Sequence, residues 1–170
     1  MTLVPIWLHV LGVTTWLGGL VWQAHVLMPL ARQALYARGE QVHLAPTADT
    51  GAAWQASLRH IAYEGRVFVV SCCQVLHRTA FPDDPALAGF PADAGWLITG
   101  GTAIVSPAGD CDYLAGPVYD EETILYADLD LERVVEAKHS FDVAGHYARP
   151  DVLELRINRA RHAPFVDVRQ

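Results

Sequence analysis

From Met1 to Ala31 the chain carries no Asp, Glu, Lys or Arg; the first formal charge is Arg32. Within that stretch Leu3 to Trp22 (LVPIWLHVLGVTTWLGGLVW) is nearly continuous apolar sequence. A run of about 20 such residues is buried either in a bilayer or beneath the rest of a fold. No basic region precedes it and no small-residue cleavage site follows, which argues against a secretory signal. Pro5, the Thr14-Thr15 pair and Gly18-Gly19 disfavour a long helix, and no basic residue anchors its amino-terminal side. Residues 1–27 are therefore expected to be an apolar leader of buried strands broken near Gly12, with a membrane segment as the alternative.

The remainder reads as one α/β domain, residues 28–156, with a polar tail at 157–170. The 170 residues are 52% hydrophobic and 18% charged, which excludes a disordered chain. Twelve basic against 19 acidic side chains give a net charge of −7, and no Lys/Arg cluster exists to grip phosphates, so nucleic acid is excluded as a partner. Pro29 starts a helix that Gly39 terminates, with Leu30, Ala34 and Leu35 on one face. A strand follows from Gln41 to Ala45. Asp49 or Thr50 caps a second helix, in which Trp54, Leu58, Ile61 and Ala62 recur at helical spacing before Gly65. Val67 to Val75 (VFVVSCCQV) predicts one strand buried on both faces. Thr79 to Gly95 is a loop, Gly101–Ser106 and Cys111–Ala115 form a hairpin, and Thr123 to Leu129 is a further strand. Asp130 caps a last helix that lines up Leu131, Val134, Val135 and Lys138.

Chemistry-bearing motifs are few. Eight histidines invite a metal, yet there is no HExxH and no CxxC. His60 and Glu64 have i, i+4 spacing, which reads as a surface contact rather than half a site. Gly18-Gly19 and Gly100-Gly101 are isolated doublets without a phosphate-binding pattern, and no GxSxG elbow occurs. Cys72, Cys73 and Cys111 fall in predicted strands as packed, unreactive thiols. Three cysteines make no disulfide framework, which fits a reducing compartment such as the cytoplasm. No metal and no cofactor is expected.

Five blocks carry a resemblance: MPLARQALYARGEQVHLAPTAD (Met28 to Asp49), WQASLRHIAYEGRVFVVSCCQ (Trp54 to Gln74), GGTAIVSPAGD (Gly100 to Asp110), LAGPVYDEETILYADLDL (Leu114 to Leu131) and AKHSFDVAGHYARPDVLEL (Ala137 to Leu155). In order and spacing they resemble the carboxy-terminal part of a nitrilase of the carbon–nitrogen hydrolase superfamily. The resemblance implies a partial α-β-β-α sandwich, lacking its amino-terminal half, that associates with another copy through helices 28–38 and 54–65. It also implies hydrolysis of a nitrile to a carboxylate and ammonia, with Glu as base, Lys as stabiliser of tetrahedral intermediates and Cys as nucleophile. Those three are expected to be missing. Where the family's cysteine belongs, alignment places Trp22 or Gln23; no cysteine precedes Cys72, no carboxylate precedes Glu40, and the single lysine is Lys138. Catalytic residues are therefore expected to be none. The divergent leader is expected to reflect a frameshift upstream of Met28, an internal start or true divergence. The competing expectations are a non-catalytic pairing fragment, a hydrolase using Cys73 with Glu64 as base, and a small membrane-anchored protein.

Overall fold

The computed structural model describes residues 28–81 and 95–157. The expectations for residues 1–27, for most of the loop at 79–95 and for the tail beyond residue 157 lie outside the described residues. The chain divides into two units, one of Leu35–Ala148 and one of the terminal segments Met1–Ala34 and Arg149–Gln170.

Helix α1 spans Met28–Tyr36. It stops where Gly39 takes φ +77°, with the Gly39 N–H donating to the Tyr36 carbonyl at 3.0 Å. A left-handed residue at that point closes the last turn, and glycine adopts it without strain. Strand β1 is Val42–Leu44, and helix α2 is Ala52–Gly65. Its buried residues, Gln55, Leu58, Ile61, Ala62 and Gly65, recur at the spacing of one helical face. Neither Asp49 nor Thr50 caps this helix, contrary to the sequence expectation. Gly51 sits at the N-cap position, and the Asp49 carboxylate instead accepts the Gly51 N–H at 2.8 Å in the preceding turn.

The expected strand Val67–Val75 is broken in two: β2 covers Phe68–Ser71 and β3 covers Val75–His77. An unbroken β-branched run hides such a break, because Cys72 to Gln74 carry no turn signal. The hairpin is longer than expected, with β4 at Trp96–Val105 and β5 at Tyr113–Tyr119. The five strands form one mixed sheet in the order β1-β2-β4-β3, with β5 also paired to β4. Among the described strands only β1 and β2 are parallel, joined by α2 as a crossover. Strand β4 is the hub: its end pairs with β2 (Val69↔Val105), its start pairs with β3 (Val75↔Thr99), and its second half pairs with β5. Gly100 and Gly101, at φ +96° and +112°, lie where the β4–β5 register shifts.

One face of the sheet meets α2. Val67, Val69, Ala103 and Val105 pack with Leu58, Ile61, Ala62 and Tyr36 in a single buried cluster. Inside it Gln55 makes the polar joint. Its Nε2 donates to the Gly101 carbonyl at 2.7 Å, and its Oε1 accepts the Tyr113 hydroxyl at 3.1 Å.

Two further expectations are corrected. Thr123 to Leu129 is no strand of the sheet: its backbone makes no hydrogen bond among the described residues. Composition proposes a strand; pairing decides one. The last helix, α3, is Glu132–Ser140, with Leu131 at the N-cap position; Asp130 contributes an oxygen that accepts the Glu132 N–H at 3.0 Å. Of its expected apolar line only Val134 is buried, while Leu131 and Val135 are exposed. The fold is α/β, a mixed sheet with helices, consistent with part of a layered sandwich.

Candidate functional site

The break between β2 and β3 opens a cleft of about 410 Å³. It is lined by Val70, Thr102 and Val118 of the sheet, by Cys72 and Cys73 in the break, and by the segment at 121–125 that follows β5. The two cysteines lie in the break rather than in a strand, as the sequence had suggested. Cys72 is exposed and Cys73 is buried, so the adjacent thiols face different surroundings.

Thr102 fixes the Cys73 backbone. Its hydroxyl accepts the Cys73 N–H and donates to the Cys73 carbonyl, each at 3.0 Å. The Cys73 thiol reaches only the carbonyls of Asp49 and Gln74, at 3.8 and 3.7 Å. Burial pushes its pKa up, and the Cys72 thiol and the Asp49 carboxylate raise it further. An activated thiol needs the opposite setting, a nearby cation or base that favours the thiolate. Glu64, the base that a Cys73 nucleophile would require, is engaged elsewhere: its Oε2 accepts the Tyr36 hydroxyl at 3.1 Å. The structure does not bring Glu64 and Cys73 together by any hydrogen bond.

Cys111 lies in the β4–β5 turn at φ +49°, and its thiol donates to the Ala108 carbonyl at 3.1 Å. Burial raises its pKa, a rise only partly opposed by Arg66 and Arg59. Arg59 is committed to this turn, donating from Nε to the Cys111 carbonyl and from Nη2 to the Asp110 carbonyl. A shallow hollow of about 270 Å³ lies there, bordered by Arg59, His60, Tyr63 and Asp110. His60 stands 4.0 Å from Glu64, an i, i+4 surface contact as the spacing predicted. Among the described residues no three His, Cys, Asp or Glu side chains gather as a metal site. Lys138 sits on α3 and makes no hydrogen bond or ion pair among the described residues.

The thiols yield a direct expectation. A soluble disulfide reagent at neutral pH modifies Cys72 quickly, and Cys73 and Cys111 at least about tenfold more slowly, because both are buried and held as neutral thiols. The slow phase accelerates as pH climbs past the ordinary thiol range, since only the thiolate reacts. Mass spectrometry of the quenched reaction checks this; early modification of Cys73 or Cys111 contradicts it.

Sequence reading missed Arg66. It is 4% exposed, and it occupies the left-handed position after α2, φ 50° and ψ 51°. Its guanidinium lies over the rings of Tyr63, at 4.2 Å, and Phe141, at 5.2 Å, while Nε and Nη1 are buried without a hydrogen-bond partner. Ring faces attract the cation in place of an acceptor. The residue after Gly65 gave no pattern from which this could be read.

The described helices include none long and apolar enough to cross a membrane. The family model for carbon–nitrogen hydrolases matches residues 21–139. The chain is 47% identical over 131 residues to a nitrilase of Bradyrhizobium diazoefficiens, covering 77% of this chain and 40% of that protein. An aliphatic nitrilase of Sinorhizobium fredii is 47% identical over 131 residues, covering 77% and 42%, and an arylacetonitrilase of Trametes versicolor 45% identical over 132 residues, covering 76% and 41%. The chain thus spans about 40% of the length of the curated relatives it matches.

Proposed function

Since the chain belongs to the carbon–nitrogen hydrolase family, we propose that it is a nitrilase-type polypeptide that supplies sheet, cleft wall and pairing helices but no catalytic residue of its own. The proposed chemistry of the complete architecture is conversion of a nitrile to a carboxylate and ammonia, as the names of its relatives suggest. One observation carries the reading. No cysteine precedes Cys72, and the later thiols lack what nucleophilic attack needs: Cys73 is buried with carbonyls as its neighbours, and Cys111 is bound to a turn carbonyl. Loss of a nucleophile in a comparable hydrolase removes about 10⁶ in rate. The exposed apolar residues of the two pairing helices, Leu30 and Leu35 on α1 and Tyr63 on α2, are the proposed contacts with another subunit.

The test is direct. The purified chain is incubated with aliphatic and aromatic nitriles, and ammonia release stays at the buffer blank. Turnover that vanishes in Cys73→Ala overturns the proposal and makes Cys73 the nucleophile.

A further inference from the structure

Arg66 is a buried cation with unused donors. The residue is 4% exposed, and its Nε and Nη1 are closed to solvent without a hydrogen-bond partner. The rings of Tyr63 and Phe141 lie against the guanidinium, with centroids at 4.2 and 5.2 Å. They offset part of its charge, but a guanidinium donates in its own plane, so rings against its face leave those donors unmet. Buried charges and buried donors are ordinarily paired, because leaving either unsatisfied is costly. No carboxylate among the described residues pairs with this one.

The shallow hollow of about 270 Å³ lies beside it. Tyr63, whose ring carries the guanidinium, borders that hollow, and so does Cys111, whose thiol feels the positive charge of both Arg66 and Arg59. Two more cationic groups stand at the rim, Arg59 and, when protonated, His60. Arg59 is held in place by the Asp110 and Cys111 carbonyls. The opposing charges are the exposed Asp110 and Glu64, which stands 4.0 Å from His60 and accepts the Tyr36 hydroxyl. Tyr63 is 45% exposed, so a ligand seated here also meets an aromatic ring. With carboxylates already nearby, this setting suits a monoanion with a flat apolar body better than a doubly charged phosphate.

We infer that the hollow bordered by Arg59, His60, Tyr63 and Cys111 binds a small aromatic carboxylate, whose oxygens meet the guanidinium of Arg66 and whose ring rests against Tyr63. Pairing of arginine with a carboxylate is charge-assisted and often bidentate, so this one contact supplies most of the affinity. Neither nitrile chemistry nor the proposed pairing through α2 is a premise, and the site stands or falls apart from both.

Sodium benzoate is the probe, with benzamide as its uncharged counterpart, at constant ionic strength. Calorimetry of the full chain gives saturable benzoate binding with a dissociation constant of about 1 mM, the weak range expected of one charged contact and one ring. Benzamide binds at least about tenfold more weakly, because it brings no charge to the guanidinium. The thiols localise the contact: benzoate slows modification of Cys111 by a disulfide reagent and leaves Cys72 unchanged. Arg66→Met abolishes binding, and Arg66→Lys, which keeps the charge but loses the planar fork, weakens it at least about tenfold. Asp110→Asn, at an exposed position, tightens binding about threefold by removing a like charge, and it decides the matter should the Arg66 variants fail to fold. The inference is overturned by no saturation up to about 50 mM benzoate, far above a millimolar constant. It is equally overturned by benzamide or inorganic phosphate binding as tightly as benzoate, by Arg66→Met that still binds, or by an Asp110→Asn variant no tighter than the wild type with Cys111 unprotected.

Discussion

Leu58→Ala lowers the unfolding free energy by about 3–5 kcal/mol, the range for deleting a large aliphatic side chain from a packed interior. Leu58 has no exposed surface and lies at the centre of the buried face of α2, in the cluster that holds Val67, Val69, Ala103 and Val105. The cost has two parts, the lost transfer of its methyl groups from water and the cavity left behind. That cavity has sheet on one side and helix on the other, so it cannot collapse without moving one of them. Urea unfolding followed by circular dichroism measures the change. Leu58→Met, which nearly conserves volume, costs below about 1.5 kcal/mol. A loss below 1 kcal/mol for the alanine variant would place Leu58 outside the core.

The second large effect comes from a polar residue. Gln55→Leu destabilises by about 2–4 kcal/mol although it raises hydrophobicity, because it strips partners from two groups. The Gly101 carbonyl loses a donor at 2.7 Å and the Tyr113 hydroxyl loses its acceptor at 3.1 Å. Gln55 is 8% exposed, so water does not freely replace either bond. A coupled variant separates this from packing. Tyr113→Phe removes one of the stranded groups, so Gln55→Leu costs less in the Tyr113→Phe background than alone, and the difference is the coupling energy. Equal costs in both backgrounds would show that the two side chains act independently.

The helices were legible because their signals are local. Pro29 and Gly39 bracket α1, and Leu58, Ile61 and Ala62 mark the buried face of α2. A strand at β1 and the β4–β5 hairpin were legible too, the first bounded by Pro46 and the second from the turn at Pro107 to Asp110, whereas the parallel pairing of β1 with β2 was not. What failed depends on partners distant in sequence. Val67 to Val75 reads as one strand, and nothing local reveals that the Thr102 hydroxyl takes both the N–H and the carbonyl of Cys73. Thr123 to Leu129 has strand composition and pairs with no strand among the described residues. The candidate site was legible chiefly as a set of missing residues, whereas the cleft that adjoins Cys72 arises from the break in the strand. Glu121 and Glu122, which the linear sequence did not single out, line it from the segment after β5.

The register of the sheet also fixes a schedule for assembly. The β4–β5 hairpin closes across the short turn at 106–112, and β1–α2–β2 closes through one helix, so each forms from near neighbours. The seam between β2 and β4, Val69↔Val105 to Ser71↔Ala103, joins the most distant partners and comes last, because loop closure grows costlier with separation. During synthesis β1, α2 and β2 leave the ribosome before β4, with the residues from Arg78 to Gly95 between them. Throughout that interval the seam edge of β2, with the buried Phe68 and Val69, stays open to whatever strand it meets.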